Sequence, residues 1–371
     1  NVYGGYLPIK INAVPEGTLV PVGVPMVSVS CVDPKLYWLA SYVETWLLRA
    51  VWYGSTVATN SFMCKRVIKK YLEETGDVSG LPFKLHDFGA RGVSSQESAM
   101  IGGSAHLVNF MGSDTLEGIW AANYYYRCGM SGFSIPALEH SVTTAWGKDR
   151  EEECMRNALE VWGGKDKFMA CVSDTYDIFN AVENIWGEKL KDEVVKNGAT
   201  VVIRPDSGDP VFVVSKVMRI LGEKFGFTVN DKGYKVLNNV RVIQGDGVNI
   251  NSIEAILKSL KNDKFSADNI AFGMGGALLQ HVDRDTQKFV MKASAIKVGS
   301  DWIGISKDPI TDPGKASLAG LVAAVKGSDG VIKTGLITDA DCIMRTVYDG
   351  NGTLLVDDTF DEIRARAESY V

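Results

Sequence analysis

Five short apolar runs, each ending abruptly in polar or glycine residues, constrain this chain more than any other feature of its sequence. Thr200 to Arg204 is a β-branched run that empties into Pro205, Asp206, Ser207, Gly208, Asp209 and Pro210. Phe83 to Asp87 runs into Phe88, Gly89, Arg91 and Gly92, and Phe168 to Val172 into Ser173, Asp174, Tyr176 and Asp177. Val240 to Gln244 ends in Gly245, Asp246 and Gly247, and Asn269 to Phe272 in Gly273, Met274, Gly275 and Gly276. Apolar runs bounded by turn chemistry read as buried strands, and most of these are followed by a segment with helical spacing. Repeated strand, loop and helix units with reactive residue types after the strands are the pattern of a parallel α/β barrel, whose site gathers at the strand C-termini. A doubly wound open sheet is the alternative, since it too binds ligands at its strand ends.

At 371 residues the chain is long enough for two domains. A composition of 46% hydrophobic and 23% charged residues suits a globular protein with a large core. No apolar run approaches the roughly 20 residues that span a bilayer, so no membrane association is expected. The net charge of −6 argues against a general nucleic-acid binder. Cys31, Cys64, Cys128, Cys154, Cys171 and Cys342 show no C-x-x-C spacing and read as buried free thiols of a reducing compartment, hence a cytoplasmic location. The chain begins at Asn1 and enters strand-like sequence at once, so it reads as cut internally or as lacking a preceding segment.

Residues 1–34 are short alternating runs broken by Pro and Gly and read as antiparallel β. Residues 35–80 read as a helical connection in two helices, about 35–52 and 56–74, with Trp38, Trp46 and Trp52 as core or interface anchors. Residues 81–285 form the expected barrel, and 286–371 a β-rich segment with a final helix. Within the barrel the Gly- and Ala-rich stretch from Ala99 to Val108 reads as a close-packed helix holding His106, and residues 230–239 as a turn-rich excursion.

The loops carry the chemistry. Arg204, Asp206, Ser207 and Gly208 place a fork of donors beside a hard oxygen ligand, which suits phosphate, a sugar diol or a metal. Glu139 and His140 before a helical run suit acid-base catalysis, a phosphate-accepting histidine, or a helix cap. Gly275 and Gly276 allow close approach of backbone N–H groups to a phosphate, and Arg284 follows as a counter-charge.

With these loops in view the sequence resembles the nicotinamide phosphoribosyltransferase family. The resemblance rests on Lys84 to Gly89, Arg91 to Glu97, Pro136, Glu139 to Ser141, Thr144 to Asp149, Ile203 to Gly208, Val242 to Gly247, and Ala271 to Gly273 with Gly275 and Gly276. It implies the type II phosphoribosyltransferase fold, an irregular α/β barrel with an additional β-rich domain built from N- and C-terminal segments, in a homodimer with active sites at the interface. It implies nicotinamide and phosphoribosyl pyrophosphate as substrates, Mg²⁺ as cofactor and ATP as a facultative co-substrate that phosphorylates His140. Phe88 is then expected to stack on the pyridine ring, Asp114 to accept from the carboxamide, and Ser134 and Arg204 to lie beside the same ring or amide. Arg91, His140, Arg204 and Arg284 are expected on the phosphates, Asp206, Gly245 and Asp246 on the ribose, and Gly275 and Gly276 on the 5′-phosphate. Asp177 is a further acid expected near the sugar, and no direct metal ligand is assigned.

The reaction fits these residue types. Displacement of pyrophosphate by a ring nitrogen passes through a cation-like ribose, stabilised by carboxylates, while Arg and Mg²⁺ neutralise the leaving group. The family's N-terminal portion, which there supplies a second aromatic from the partner subunit, has no counterpart in this sequence, and it is expected either to be absent or to precede Asn1. Ala90 stands where many relatives carry an aromatic, and Ala316 to Gly320 replace a basic stretch. The alternatives are nicotinate phosphoribosyltransferase and a truncated, non-catalytic nucleotide-binding relative.

Overall fold

The structure is a computed structural model and describes residues 2–371. The chain divides into two compact units, one of residues 57–123, 129–282 and 371, the other of residues 2–56, 124–128 and 283–370.

The first of these is built on seven parallel strands: β1 (Leu85–Asp87), β2 (Gly112–Ser113), β3 (Ala137–Leu138), β4 (Phe168–Val172), β5 (Thr200–Arg204), β6 (Val240–Gln244) and β7 (Ile270–Met274). Their order across the sheet is β2-β1-β7-β6-β5-β4-β3. The segment leading into β3 joins the two edges. Phe133 N–H donates to Met111 O at 2.7 Å and Ser113 N–H to Phe133 O at 3.0 Å, while three residues on Ala170 N–H donates to Pro136 O at 2.8 Å. The seven strands therefore run round a ring in chain order, the irregular α/β barrel expected from the sequence.

Side chains alternate across each strand. Ala170, Val202 and Ile243 pack together with Phe88, Ile135 and Ala271, one layer of the barrel interior. Their neighbours Met169, Cys171, Val201, Ile203, Val242 and Phe272, all 1% exposed or less, face the surrounding helices. Chief among these are Pro210–Phe225, started by Asp209, whose carboxylate accepts from Phe212 N–H at 2.8 Å, and Ile250–Asn262, started by a reciprocal Asn249 and Ser252 capping box. The first buries Val213, Val214, Val217, Met218, Leu221 and Phe225, and the second Ile253, Ile256, Leu257 and Leu260. Each such side chain contributes about 1.5–3 kcal/mol on burial.

The other unit holds a three-stranded antiparallel sheet with Ile9–Ala13 between Val27–Cys31 and Arg345–Tyr348. N-terminal and C-terminal segments thus share one sheet, as the β-rich domain requires. Two hairpins, Ala295–Val298 with Asp301–Gly304 and Val322–Lys326 with Ile332–Leu336, and the helix Phe360–Glu368 belong to it.

Four local expectations change. The break expected near residues 53–55 is absent: Glu44–Thr75 is one helix, and the short helix Leu39–Tyr42 precedes it. Gly54 and Ser55 do not end it because neither removes a backbone donor, and Thr56 Oγ1 bonds back to Trp52 O at 2.6 Å. Trp38 and Trp46 stand 48% and 49% exposed on either side of Tyr42 in edge-to-face contact, outside the core. The excursion at 230–239 contains a strand, Lys235–Leu237, paired antiparallel with Phe227–Val229 just before it. All six cysteines are free, but only Cys64, Cys154 and Cys171 are buried as expected, Cys31, Cys128 and Cys342 being partly exposed, and among the described residues no helix is long and apolar enough to cross a membrane.

Candidate active site

The strand C-termini bring most of the expected residues into one ring. Alternation puts Arg204 on the same face of β5 as Val202, inside the barrel and one layer above the apolar plug. Its guanidinium forks onto Asp206, Nε to Oδ1 at 3.1 Å and Nη2 to Oδ2 at 3.0 Å, and lies 5.5 Å over the Phe88 ring. Glu139 Oε1 approaches Nη1 at 3.9 Å. Side-chain exposure of only 15% for Arg204 and 19% for Asp206 makes this pair far less screened than a surface ion pair.

Glycines make the space for Phe88. A Cβ on Gly273 would lie 1.9 Å from Phe88 Cε2, and one on Gly245 3.4 Å from the same atom and 3.0 Å from Arg204 Nε. Phe88 N–H donates to Met274 O at 3.0 Å, fixing the ring's backbone to the end of β7. The ring is half-buried, with a flat face in the strand-end rim.

His140, the first residue of the helix His140–Trp146, is oriented by groups on two other strand ends. Its Nδ1 is 3.1 Å from Thr175 Oγ1, and its Nε2 lies 3.6 Å from Asp174 Oδ1 and 3.5 Å from Asp206 Oδ2. Ser207 Oγ donates to Asp174 Oδ2 at 2.6 Å, while Asp174 Oδ1 is buried with no hydrogen-bond partner among the described residues. From sequence alone Ser207 was only one donor of the Arg204 loop, Asp174 and Thr175 carried no role, and Glu139 was not paired with Arg204. Asp174 and Thr175 directly follow β4, and Ser207 follows the Arg204-Pro205-Asp206 turn, so position after a strand was the available signal.

On the other side of Phe88, Asp114 is exposed, and its backbone N–H donates to Asp87 O at 3.0 Å. Ser134 Oγ donates to Asp114 Oδ1 at 2.6 Å, joining the two residues expected at the amide end of the ring. Beneath them His86 occupies space left by Gly112, whose Cβ would lie 2.7 Å from the imidazole, and burial holds His86 below its ordinary range. Asp87 is wholly buried in the barrel wall; Gly89 N–H donates to its Oδ1 at 2.7 Å, and burial pushes its carboxyl up to about 6.

Gly245 and the exposed Asp246 end β6, with Gln244 Nε2 donating to Asp246 O at 2.8 Å, and Gly275 and Gly276 follow β7. Arg91 is exposed on the short turn Ala90–Gly92 after β1. Asp177 caps a helix, its Oδ1 accepting from Phe179 N–H and Asn180 N–H at 3.0 and 3.1 Å. Arg284 belongs to the other compact unit, where it donates to Phe289 O at 2.8 Å and pairs with Asp285.

Such a ring, with a cation fork, carboxylates, a flat aromatic and glycine-lined backbone, suits a phosphorylated sugar beside a flat heterocycle. Residues 83–349 match the nicotinate phosphoribosyltransferase (NAPRTase) family. The chain belongs to that family. A protein of Xanthomonas campestris pv. campestris (strain 8004) named nicotinamide phosphoribosyltransferase is 50% identical over 376 residues, covering 99% of this chain and 80% of that protein. Another of the same name from Acinetobacter baylyi is 34% identical, covering 98% of this chain and 76% of that protein. A crystal structure of nicotinate-nucleotide pyrophosphorylase from Pyrococcus furiosus shares the fold at 16% identity with a TM-score of 0.62, over 98% of this chain and 80% of that one. Within this phosphoribosyltransferase family the fork at Arg204 and Asp206, the Phe88 ring and the His140 cluster form the candidate active site.

Proposed function

We propose that this phosphoribosyltransferase acts on nicotinamide, forming nicotinamide mononucleotide and pyrophosphate from nicotinamide and phosphoribosyl pyrophosphate in NAD salvage. The observation that carries the substrate choice is Asp114, an exposed carboxylate held by Ser134 and bonded through its backbone to the residue before Phe88. A carboxylate at the end of a stacked ring accepts from a carboxamide and repels the carboxylate of nicotinate. The names of the relatives at 50% and 34% identity support the same reading.

In this reading Phe88 orients the flat nucleophile. Arg204 and Asp206 hold opposite charges at the reacting centre, the guanidinium toward the departing diphosphate and the carboxylate toward the cation-like ribose. Asp246 and the Gly245 backbone meet the ribose hydroxyls, Gly275 and Gly276 the 5′-phosphate, and Arg91 the diphosphate. Among the described residues no cluster of three or more His, Cys, Asp or Glu could hold a metal ion. Mg²⁺ would fit beside the Asp206 and Asp246 carboxylates, which are hard oxygen donors, and when bound would help neutralise the leaving diphosphate.

His140, with one nitrogen beside Thr175 and the other facing Asp174 and Asp206, is the group to which ATP transfers a phosphoryl. The enzyme works as a homodimer with active sites at the interface, and six free thiols support a cytoplasmic setting. The hairpin Ala295–Val298 with Asp301–Gly304 supports the dimer: Ile296, Val298, Trp302 and Ile303 are each about half exposed, and a two-stranded hairpin without cover is marginal. The test is formation of nicotinamide mononucleotide by the full-length protein with and without ATP. Product that rises with ATP in the wild type but not in His140→Ala supports the whole reading, and absence of product overturns it.

A further inference from the structure

The turn that carries Arg91 is clasped from outside by one side-chain amide. Gly92 N–H donates to Gly89 O at 3.0 Å, and the same carbonyl accepts a second hydrogen bond from Gln280 Nε2 at 2.9 Å. The fit leaves no room: a Cβ on Gly92 would lie 2.0 Å from that nitrogen, and one on Gly89 2.6 Å from the Leu279 side chain. Gln280 itself comes from a different strand end. It follows the short helix Gly276–Leu279 after β7, its N–H donates to Gly276 O at 2.9 Å, and its Oε1 lies 3.4 Å from where a Gly276 Cβ would stand. One residue therefore joins the two, its side-chain amide bonded to the Arg91 turn and its backbone N–H to Gly276.

Arg91 is exposed on a long, flexible stem, so only its backbone turn fixes where the guanidinium can reach. We propose that Gln280 is a positioning residue for phosphoribosyl pyrophosphate, holding the turn Ala90–Gly92 in register with the Gly275-Gly276 loop so that the two ends of the substrate are met at a fixed spacing. The inference rests on the assignment of Arg91 to the diphosphate given above. An amide suits the task because it supplies a donor without placing a charge beside an anion.

Gln280→Met keeps the volume and removes the donor. Gly92→Ala displaces the amide from the other side, at a residue whose backbone conformation alanine can adopt. For both variants the expected result is a KM for phosphoribosyl pyrophosphate raised about tenfold, the effect of one lost hydrogen bond. The KM for nicotinamide stays at its wild-type value, a split between the two substrates that a merely structural role would not give, while the melting temperature falls modestly in both variants. If Gln280 acts through Arg91, the double variant Gln280→Met with Arg91→Ala binds phosphoribosyl pyrophosphate no more weakly than Arg91→Ala alone. Wild-type KM in both single variants, or additive losses in the double, overturns the proposal. An Arg91→Ala variant with wild-type KM overturns it too, by removing the diphosphate assignment beneath it; raised KM in Arg91→Ala with unchanged Gln280→Met removes only the role of Gln280.

Discussion

His140 Nε2 lies 3.5 Å from Asp206 Oδ2, and both oxygens of Asp206 already accept from Arg204. The histidine assigned to take a phosphoryl group and the cation assigned to the leaving diphosphate therefore share one carboxylate. A change at the histidine has a direct electrostatic route to the reacting centre. Asp174, 3.6 Å from the same nitrogen, completes the cluster.

Two substitutions separate these roles. His140→Ala is expected to abolish stimulation by ATP while leaving slower, ATP-independent turnover. Asp174→Asn, which keeps the shape but weakens the hold on the imidazole, is expected to lower the stimulation about tenfold. Initial rates with and without ATP read both effects, and full stimulation in His140→Ala would remove the phosphoryl-accepting role.

Asp114→Ser removes the carboxylate at the amide end of the ring. The ratio of kcat/KM for nicotinamide over nicotinate is expected to fall by about 10- to 100-fold, the range of one lost hydrogen bond plus one lost repulsion. An unchanged ratio in side-by-side assays would show that Asp114 does not select the substrate.

Gly273→Ala puts a methyl group where the Phe88 ring now stands, 1.9 Å from Cε2. Overpacking of this kind costs about 1–3 kcal/mol of stability, measurable by denaturant unfolding, and moves the ring that orients the nucleophile. The KM for nicotinamide is expected to rise more than that for phosphoribosyl pyrophosphate. Equal rises would argue that the ring does not stack on the pyridine.

Burial raises the Asp87 carboxyl from 3.8 to about 6. Between those values the folded protein binds more protons than the unfolded chain, so this residue's contribution to stability falls as pH rises through the window. The difference corresponds to about 3 kcal/mol at most. Asp87→Asn, whose Oδ1 can still accept from Gly89 N–H, removes the titration. The variant is expected to gain on the wild type as pH rises from about 4 to 7, read as the difference in unfolding free energy. A gap that stays constant with pH would contradict the assignment.

Much of this was legible in the sequence, because strand C-termini of a parallel barrel are marked by abrupt changes of residue type. Thr200 to Arg204 followed by Pro205 and Asp206 announces both the buried strand and the cation fork. The family resemblance then located Phe88, Asp114 and His140. What the sequence hid were relations between loops far apart in the chain. Thr175 and Asp174 lie about 35 residues from His140, within hydrogen-bond or ion-pair reach only because β3 and β4 are neighbours. Gln280 lies 191 residues from Gly89 and meets it only because β1 pairs with β7. The single helix Glu44–Thr75 escaped because Gly54 and Ser55 look like a break, yet neither interrupts the backbone ladder.

Competition between the two pyridines measures the amide selectivity of this phosphoribosyltransferase. The full-length protein is given phosphoribosyl pyrophosphate, Mg²⁺ and equal concentrations of nicotinamide and nicotinate, and the two mononucleotides are quantified. The expected result is nicotinamide mononucleotide as the dominant product. Dominance of nicotinate mononucleotide, or no product from folded protein, would rule out an amide-selective enzyme.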